Sequence, residues 1–262
     1  MHPHHPLDTS MTTLLRGTQR LRGIFTGLAS PAIVEMCAYA GFDFVVIDNE
    51  HGSADLETTE HQLRAARASG IASVVRCLRH DIPRVLDMGA GAVQIPMVNT
   101  ADDARDLVQR VRYPGAGQRG SAFSTRAAGY GAFGGKAHTQ RSNEGIALIV
   151  MVETPEAVAN AGAIAAVEGV DAVFIGPNDL AHAMGFGDDW RRAEVQAAIT
   201  QAVKAVVAAG KCAGTLGITL EDETNHGANG ARYFATVATG LFTKALRDAA
   251  TMGREAGVGV KY

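Results

Sequence analysis

Four short apolar runs each lead into residues that can do chemistry. Val45-Val46-Ile47 runs into Asp48-Asn49-Glu50-His51, Ser73-Val74-Val75 into Arg76, ALIVMV into Glu153, and AVFI into Gly176-Pro177-Asn178-Asp179. Glu153 and Asp179 are two carboxylates on successive runs, with no cysteine or histidine cluster beside them. Such a pair suits a hard divalent cation, and Mg²⁺ or Mn²⁺ would keep positions open for water and substrate. The competing use of both acids is helix capping, since each lies at a strand-to-helix turn. Asp48 near His51 can fix the imidazole tautomer and raise its basicity, which prepares an acid–base group near neutral pH. Glu50 either competes for that role or points away, and the plainer alternative for His51 is a polar loop histidine. The Arg76 guanidinium offers a fixed fork of donors for an enolate or carboxylate, or a structural partner for Asp48 or Glu50. The turn at Gly176 can aim the N–H groups of Asn178 and Asp179 at an anion. Pro177 supplies no donor, so that anion is about carboxylate-sized.

These residues converge only if the runs are parallel strands of one barrel. Eight runs read as strands: 22–28, 42–50, 73–77, 92–98, 147–153, 172–177, 212–218 and 231–238. Each is nearly continuous in Val, Ile, Phe or Ala, as expected of strands buried on both faces. Helical stretches separate them. Thr100 precedes Ala101-Asp102-Asp103, and Thr154 precedes Pro155-Glu156, both good helix starts. The longest stretch runs from Asp188 to Ala209 with Gly210 as its stop, and a further one covers Leu220 to His226. Eight such units in succession predict an α/β fold of the (β/α)₈ TIM-barrel type, in which strand C-terminal ends face the site.

The Gly-, Ser- and Arg-rich segment from Pro114 to Glu144 breaks this rhythm. It reads either as a floppy surface loop or as a long loop over a site or a subunit contact. No linker appears elsewhere, so the expected organisation is a flexible tail and lead-in over 1–20 and a single barrel domain over 21–262. The first ten residues, MHPHHPLDTS, lack the plan of a signal peptide and read as a solvated tail.

Composition narrows the class. The chain has 262 residues, 47% of them hydrophobic and 19% charged, with a formal net charge of −3. A sizeable core is affordable, while a pI near 6.3 offers no footprint for nucleic acid or an anionic membrane. No apolar run reaches the roughly 18 residues of a membrane helix. Three scattered cysteines, Cys37, Cys77 and Cys212, make no disulfide framework, so a reducing, cytoplasmic setting is expected. His61, His80, His138 and His226 read as ordinary histidines, and His182 only as a reserve candidate near Asp179.

The stretches VVIDNEHG, VVRC, QIPMVNTADDAR, RYPGAGQRG, VETPEAVAN and VEGVDAVFIGPNDLA resemble the HpcH/HpaI aldolase family, over nearly the whole chain from about Gly23 onward. The resemblance implies a class II aldolase that uses a divalent ion (Mg²⁺, Mn²⁺ or Co²⁺) to cleave a 4-hydroxy-2-oxo acid reversibly to pyruvate and an aldehyde, through a metal-stabilised pyruvate enolate. It implies Glu153 and Asp179 as metal ligands, Arg76 on the keto oxygen, and His51 with Asp48 as the proton-transfer dyad. It further implies that Gly176, Asn178 and Asp179 hold the substrate carboxylate and that Asp87 reaches a neighbouring subunit's site. The last helix, within Thr239 to Gly257, would pack on a neighbour in a hexamer built as a trimer of dimers. Asn49 stands where the family pattern has glycine and Met151 where it has glutamine, so the resemblance carries a family rather than a substrate. The competing functions are an acyl-CoA lyase of the malyl-CoA or citramalyl-CoA type and a catalytically silent pyruvate-binding protein.

Overall fold

Eight parallel strands pair in chain order and close on themselves: β1 Leu21–Thr26, β2 Phe44–Asp48, β3 Ala72–Arg76, β4 Ala92–Ile95, β5 Ala147–Val152, β6 Ala172–Ile175, β7 Cys212–Leu216 and β8 Tyr233–Val237. The computed structural model describes residues 5–252. The expected (β/α)₈ barrel is therefore present, with each predicted run supplying one strand. Helices α1 Ser10–Arg16, α2 Pro31–Tyr39, α3 Leu56–Ser69, α4 Ile82–Asp87, α5 Ala101–Val111 and α6 Gly135–Gly145 belong to the first half of the chain. The second half adds α7 Pro155–Ala165, α8 Pro177–Ala183, α9 Ala193–Ala208, α10 Leu220–Gly227 and α11 Ala238–Thr251.

Local chemistry sets the element ends. Strand β4 stops at Ile95, short of the expected residue 98, because Pro96 has no N–H to donate and Met97 takes a left-handed φ of 56°. Thr100 caps α5 in a reciprocal capping box with Asp103, and Thr219 does the same for α10 with Asp222. Thr154 accepts the Ala157 N–H at the start of α7. The helix expected from Asp188 begins at Ala193, because Asp188–Arg192 fold into turns (Trp190 N–H to Asp188 O and Arg192 N–H to Asp189 O).

The lead-in expected to be flexible is, in its described part, packed. Leu7 and Met11 are fully buried, and Met11 and Leu15 of α1 join the apolar cluster that fills the barrel. Residues 1–4 of the proposed tail lie outside the described residues. The glycine-rich segment is not the floppy surface loop of one of its readings. It follows α5, enters β5 from the N-terminal end of the barrel, and carries a 3₁₀ turn over Arg126–Gly131 and then α6. Arg119 and His138 within it are buried, so it is neither a floppy loop nor a cover for its own barrel mouth.

Inside the barrel, Phe44 stacks on Tyr233 with ring centroids 4.5 Å apart, and the Tyr233 hydroxyl donates to Gln94 Oε1 at 2.8 Å. Gly23 lies against this pair: a Cβ at that position would overlap the Phe44 ring, which is fully buried and cannot swing away. Gly23→Ala is expected to cost about 1–3 kcal/mol through overpacking. Urea unfolding measures this as a lower midpoint with an unchanged slope, and an unshifted midpoint would show that the interior has slack at Phe44.

Candidate active site

Barrel register brings the chemical residues to one level. Asp48 at the end of β2 lies beside Arg76 at the end of β3, and Val152 lies beside Ile175, so Glu153 and Gly176 leave the barrel together. A cavity of about 340 Å³ opens at this end, lined by Asp48, His51, Arg76, Glu153, Asn178 and Asp179 among others. Its remaining wall is largely apolar, from Phe25, Met151, Phe174, Leu216 and Val237.

Arg76 organises one side. Its Nε donates to Asp48 Oδ1 at 2.8 Å and its Nη2 to Asp48 Oδ2 at 2.5 Å, while Nη1 lies 3.3 Å from Glu50 Oε2. The guanidinium also sits over the Phe25 ring, 4.9 Å from its centroid. Of the five guanidinium N–H groups, three face these acids, which leaves two for a ligand. Burial opposes ionisation of Asp48, but the Arg76 hydrogen bonds and charge, with the N–H groups of His51 and Glu50, hold its carboxyl below the usual range. Burial pushes the Glu50 carboxyl up despite the same arginine.

The expected Asp48–His51 dyad takes a different form. Asp48 Oδ1 accepts the backbone N–H of His51 at 3.3 Å and that of Glu50 at 3.1 Å, and its carboxylate is otherwise claimed by Arg76. The nearest carboxylate to the His51 ring is Glu50, with Oε2 at 3.8 Å from Nε2. Asp48 thus shapes the turn that carries His51 instead of gripping the imidazole, because a bidentate arginine is the stronger partner. The ring is 64% exposed and lines the cavity.

On the other side, Glu153 is only 2% exposed. Its Oε2 accepts the Met97 N–H at 2.9 Å, and among the described residues its Oε1 has no protein donor and no cation reaches salt-bridge distance. Burial pushes its carboxyl up to about 7, against the Met97 hydrogen bond, and the negative charges of Asp179 and Glu50 add to the rise. Capping explains neither acid: Thr154 caps α7, and no side chain caps α8. Gly176 has a job that its place in the sequence did not reveal, since a Cβ there would overlap the Glu153 carboxylate. Met97 was also missed, and its signal, a left-handed residue after Pro96, exists only in the folded backbone.

Asp87, expected at a neighbouring subunit's site, and the reserve candidate His182 do not line this cavity. Asp87 ends α4, where its Oδ1 accepts a 2.6 Å hydrogen bond from the buried Arg119. His182 sits exposed on α8 and does not line the cavity. The terminal helix α11 buries only Ala238 and leaves Leu241, Phe242 and Leu246 exposed, while residues 253–257 of that segment lie outside the described residues.

Two carboxylates, one buried, that among the described residues have no cation of the chain's own within salt-bridge distance fit a divalent ion. Among the described residues no group of three or more His, Cys, Asp or Glu is arranged so that it could hold a metal ion by itself, so the remaining ligands would come from substrate and water.

A (β/α)₈ barrel with paired acids, an arginine and an imidazole at its C-terminal mouth defines the class of molecule. Comparison with known proteins gives the family. Residues 21–249 match the model for the HpcH/HpaI aldolase/citrate lyase family. The chain is 41% identical to a hydroxypyruvate/pyruvate aldolase of Delftia acidovorans, over 90% of this chain and 87% of that one. It is 37% identical to a 2-keto-3-deoxy-L-rhamnonate aldolase of Klebsiella pneumoniae, over 89% and 88% respectively. The crystal structure of an HpcH/HpaI aldolase/citrate lyase family protein from Burkholderia cenocepacia superposes with a TM-score of 0.88 at 33% identity, covering 94% of this chain and 99% of that one. The chain belongs to the HpcH/HpaI aldolase/citrate lyase family, a family of carbon–carbon lyases.

The buried acid has a consequence for the metal-free protein. Its folded pKa of about 7 lies above the ordinary 4.5, so the folded state loses stability as pH rises from 4.5 to 7 and does not regain it above. Glu153→Gln keeps an acceptor for Met97 without the charge. At pH 8 it is expected to raise the unfolding free energy by about 2–3 kcal/mol, with the gain fading to nothing near pH 4.5. Denaturant titrations at both pH values check this, and a destabilised variant at pH 8 would contradict it.

Proposed function

We propose that this protein is a divalent-cation-dependent class II aldolase that interconverts a 4-hydroxy-2-oxo acid with pyruvate and an aldehyde. The observation that carries the reading is the uncommitted Glu153 carboxylate facing Asp179 and Arg76 in one small cavity. Glu153 and Asp179 would hold the cation, which would supply Lewis-acid polarisation of the substrate's keto group. Arg76 directs its two remaining N–H groups at the developing enolate oxygen, a preorganised donor already fixed by Asp48 and Glu50. The N–H groups of Asn178 and Asp179 receive the substrate carboxylate, and the absence of a side chain at Gly176 leaves room for the Glu153 carboxylate.

His51 moves the proton. In the synthetic direction its imidazole takes a methyl proton from pyruvate, and the enolate carbon then forms a bond to the aldehyde carbon. The former aldehyde oxygen receives the proton from the imidazolium, which restores the base and leaves a hydroxyl at C4. Cleavage runs through the same groups in reverse.

The assembly we propose is a trimer of dimers. The exposed apolar side chains Leu241, Phe242 and Leu246 of α11 suit packing on a neighbouring chain. Asp87, locked by Arg119 away from its own cavity, suits the mouth of a neighbouring barrel. Three unpaired, buried cysteines suit a reducing cytoplasm, and no helix among the described residues is long and apolar enough to cross a membrane.

Deuterium wash-in at the pyruvate methyl, followed by NMR, tests the reaction. Exchange is expected with Mg²⁺, Mn²⁺ or Co²⁺ and not in stripped protein. Absence of exchange with every ion, in folded protein, would favour an acyl-CoA lyase or a silent binder. Arg76→Ala should lower kcat/KM at least about 100-fold, the scale of losing an oxyanion donor. A near-wild-type value in that variant would remove Arg76 from the chemistry.

A further inference from the structure

The cavity has two unlike halves. Asp48 ends β2 with His51 just beyond it, Arg76 ends β3, Glu153 follows β5 and Asp179 lies just past β6, so the charged groups run from β2 to β6 around the mouth. The remaining arc, built from β7, β8 and β1, is apolar at Leu216, Val237 and Phe25, the last of which lies under the Arg76 guanidinium. Thr239 interrupts it. This residue lies just past β8, three strands from β5 in one direction and three from β3 in the other.

Thr239 carries the only side-chain hydroxyl lining the cavity among the described residues. That hydroxyl is not used by the fold. It has no hydrogen-bond partner among the described residues, and it does not cap α11, whose N-cap position is Val237 with no side-chain cap bond. It is exposed at the mouth, where a ligand can reach it.

We infer that Thr239 is a specificity-determining residue that selects acceptor aldehydes bearing a hydroxyl group next to the carbonyl carbon. The inference rests on the aldolase reading and names the acceptor class for that site. With the pyruvate carbon held on the charged arc, the new carbon–carbon bond points across the mouth. The acceptor's carbon chain then lies on Phe25, Leu216 and Val237, and its hydroxyl meets the one polar group of that wall. A site that hydrogen-bonds a substrate hydroxyl discriminates against the analogue lacking it.

The test uses pyruvate as donor with glycolaldehyde or propionaldehyde as acceptor, a pair that exchanges a hydroxyl for a methyl. The wild-type kcat/KM ratio is expected to favour glycolaldehyde. Thr239→Val should reduce that ratio about fivefold to tenfold, the scale of one neutral hydrogen bond, mainly through KM. Thr239→Ser should keep the preference, and Thr239→Ala carries the same expectation as valine if Thr239→Val does not fold. An unchanged acceptor ratio in the valine and alanine variants overturns the inference while leaving the aldolase reading intact. A change confined to the hydroxypyruvate-to-pyruvate donor ratio also overturns it, by placing Thr239 against the donor. A wild-type protein that fails to exchange the pyruvate methyl overturns the aldolase reading itself, and this inference with it.

Discussion

A carboxyl group held in the protein without a positive partner is the constraint around which this site is arranged. Glu153 is almost fully buried, has one hydrogen bond from the Met97 backbone, and faces two further acids, Asp179 and Glu50. Such a group is costly to ionise, and a fold selected for stability alone would replace it with an apolar side chain or pair it. The barrel instead makes room for it. Gly176 gives up its side chain so that the carboxylate fits, and Met97 accepts a left-handed backbone to donate to it. Both features follow if a cation completes the site, because a divalent charge reverses the repulsion among the acids.

Arg76 plays the complementary part. It sits within the same mouth but is bound to Asp48 and Glu50, so its charge is compensated without Glu153. The result is a division between a neutralised arginine cluster on one side and an uncompensated acid pair on the other. That division separates two tasks: the arginine presents donors of fixed direction, and the acids attract a cation. Holding the guanidinium over Phe25 and against two carboxylates removes its freedom before substrate arrives, which is the condition for a preorganised donor to act in a transition state.

The barrel, and the gathering of Glu153 and Asp179 at one mouth, were legible in the sequence because both depend on short-range patterns. Eight apolar runs and the helix starts at Thr100 and Thr154 define the strands, and strand ends then name the site residues. The contacts made by those residues were less legible. Asp48 was offered both to His51, near in the chain, and to Arg76, and only the folded protein shows that Arg76 on the adjacent strand takes its carboxylate. The helix start at Asp188 failed because Asp residues favour turns as readily as caps. The glycine-rich segment could not be placed from composition, which carries no information about which end of a barrel a loop occupies; its position after α5 sends it to the N-terminal end. Thr239 and Met97 could not be singled out at all, since one matters through the wall it interrupts and the other through its backbone.

The central claim is that Glu153 and Asp179 together gather one divalent cation per chain. Electron paramagnetic resonance of Mn²⁺, titrated into metal-free protein at pH 8, tests it without reference to any substrate. The account predicts a single class of bound Mn²⁺ at one per chain, with affinity weakened about 100-fold or more in Glu153→Gln and in Asp179→Asn, since even outer partners of a metal ligand typically change affinity 10- to 100-fold. Wild-type and variant proteins that bind Mn²⁺ equally, or a folded wild type that binds none, would contradict it.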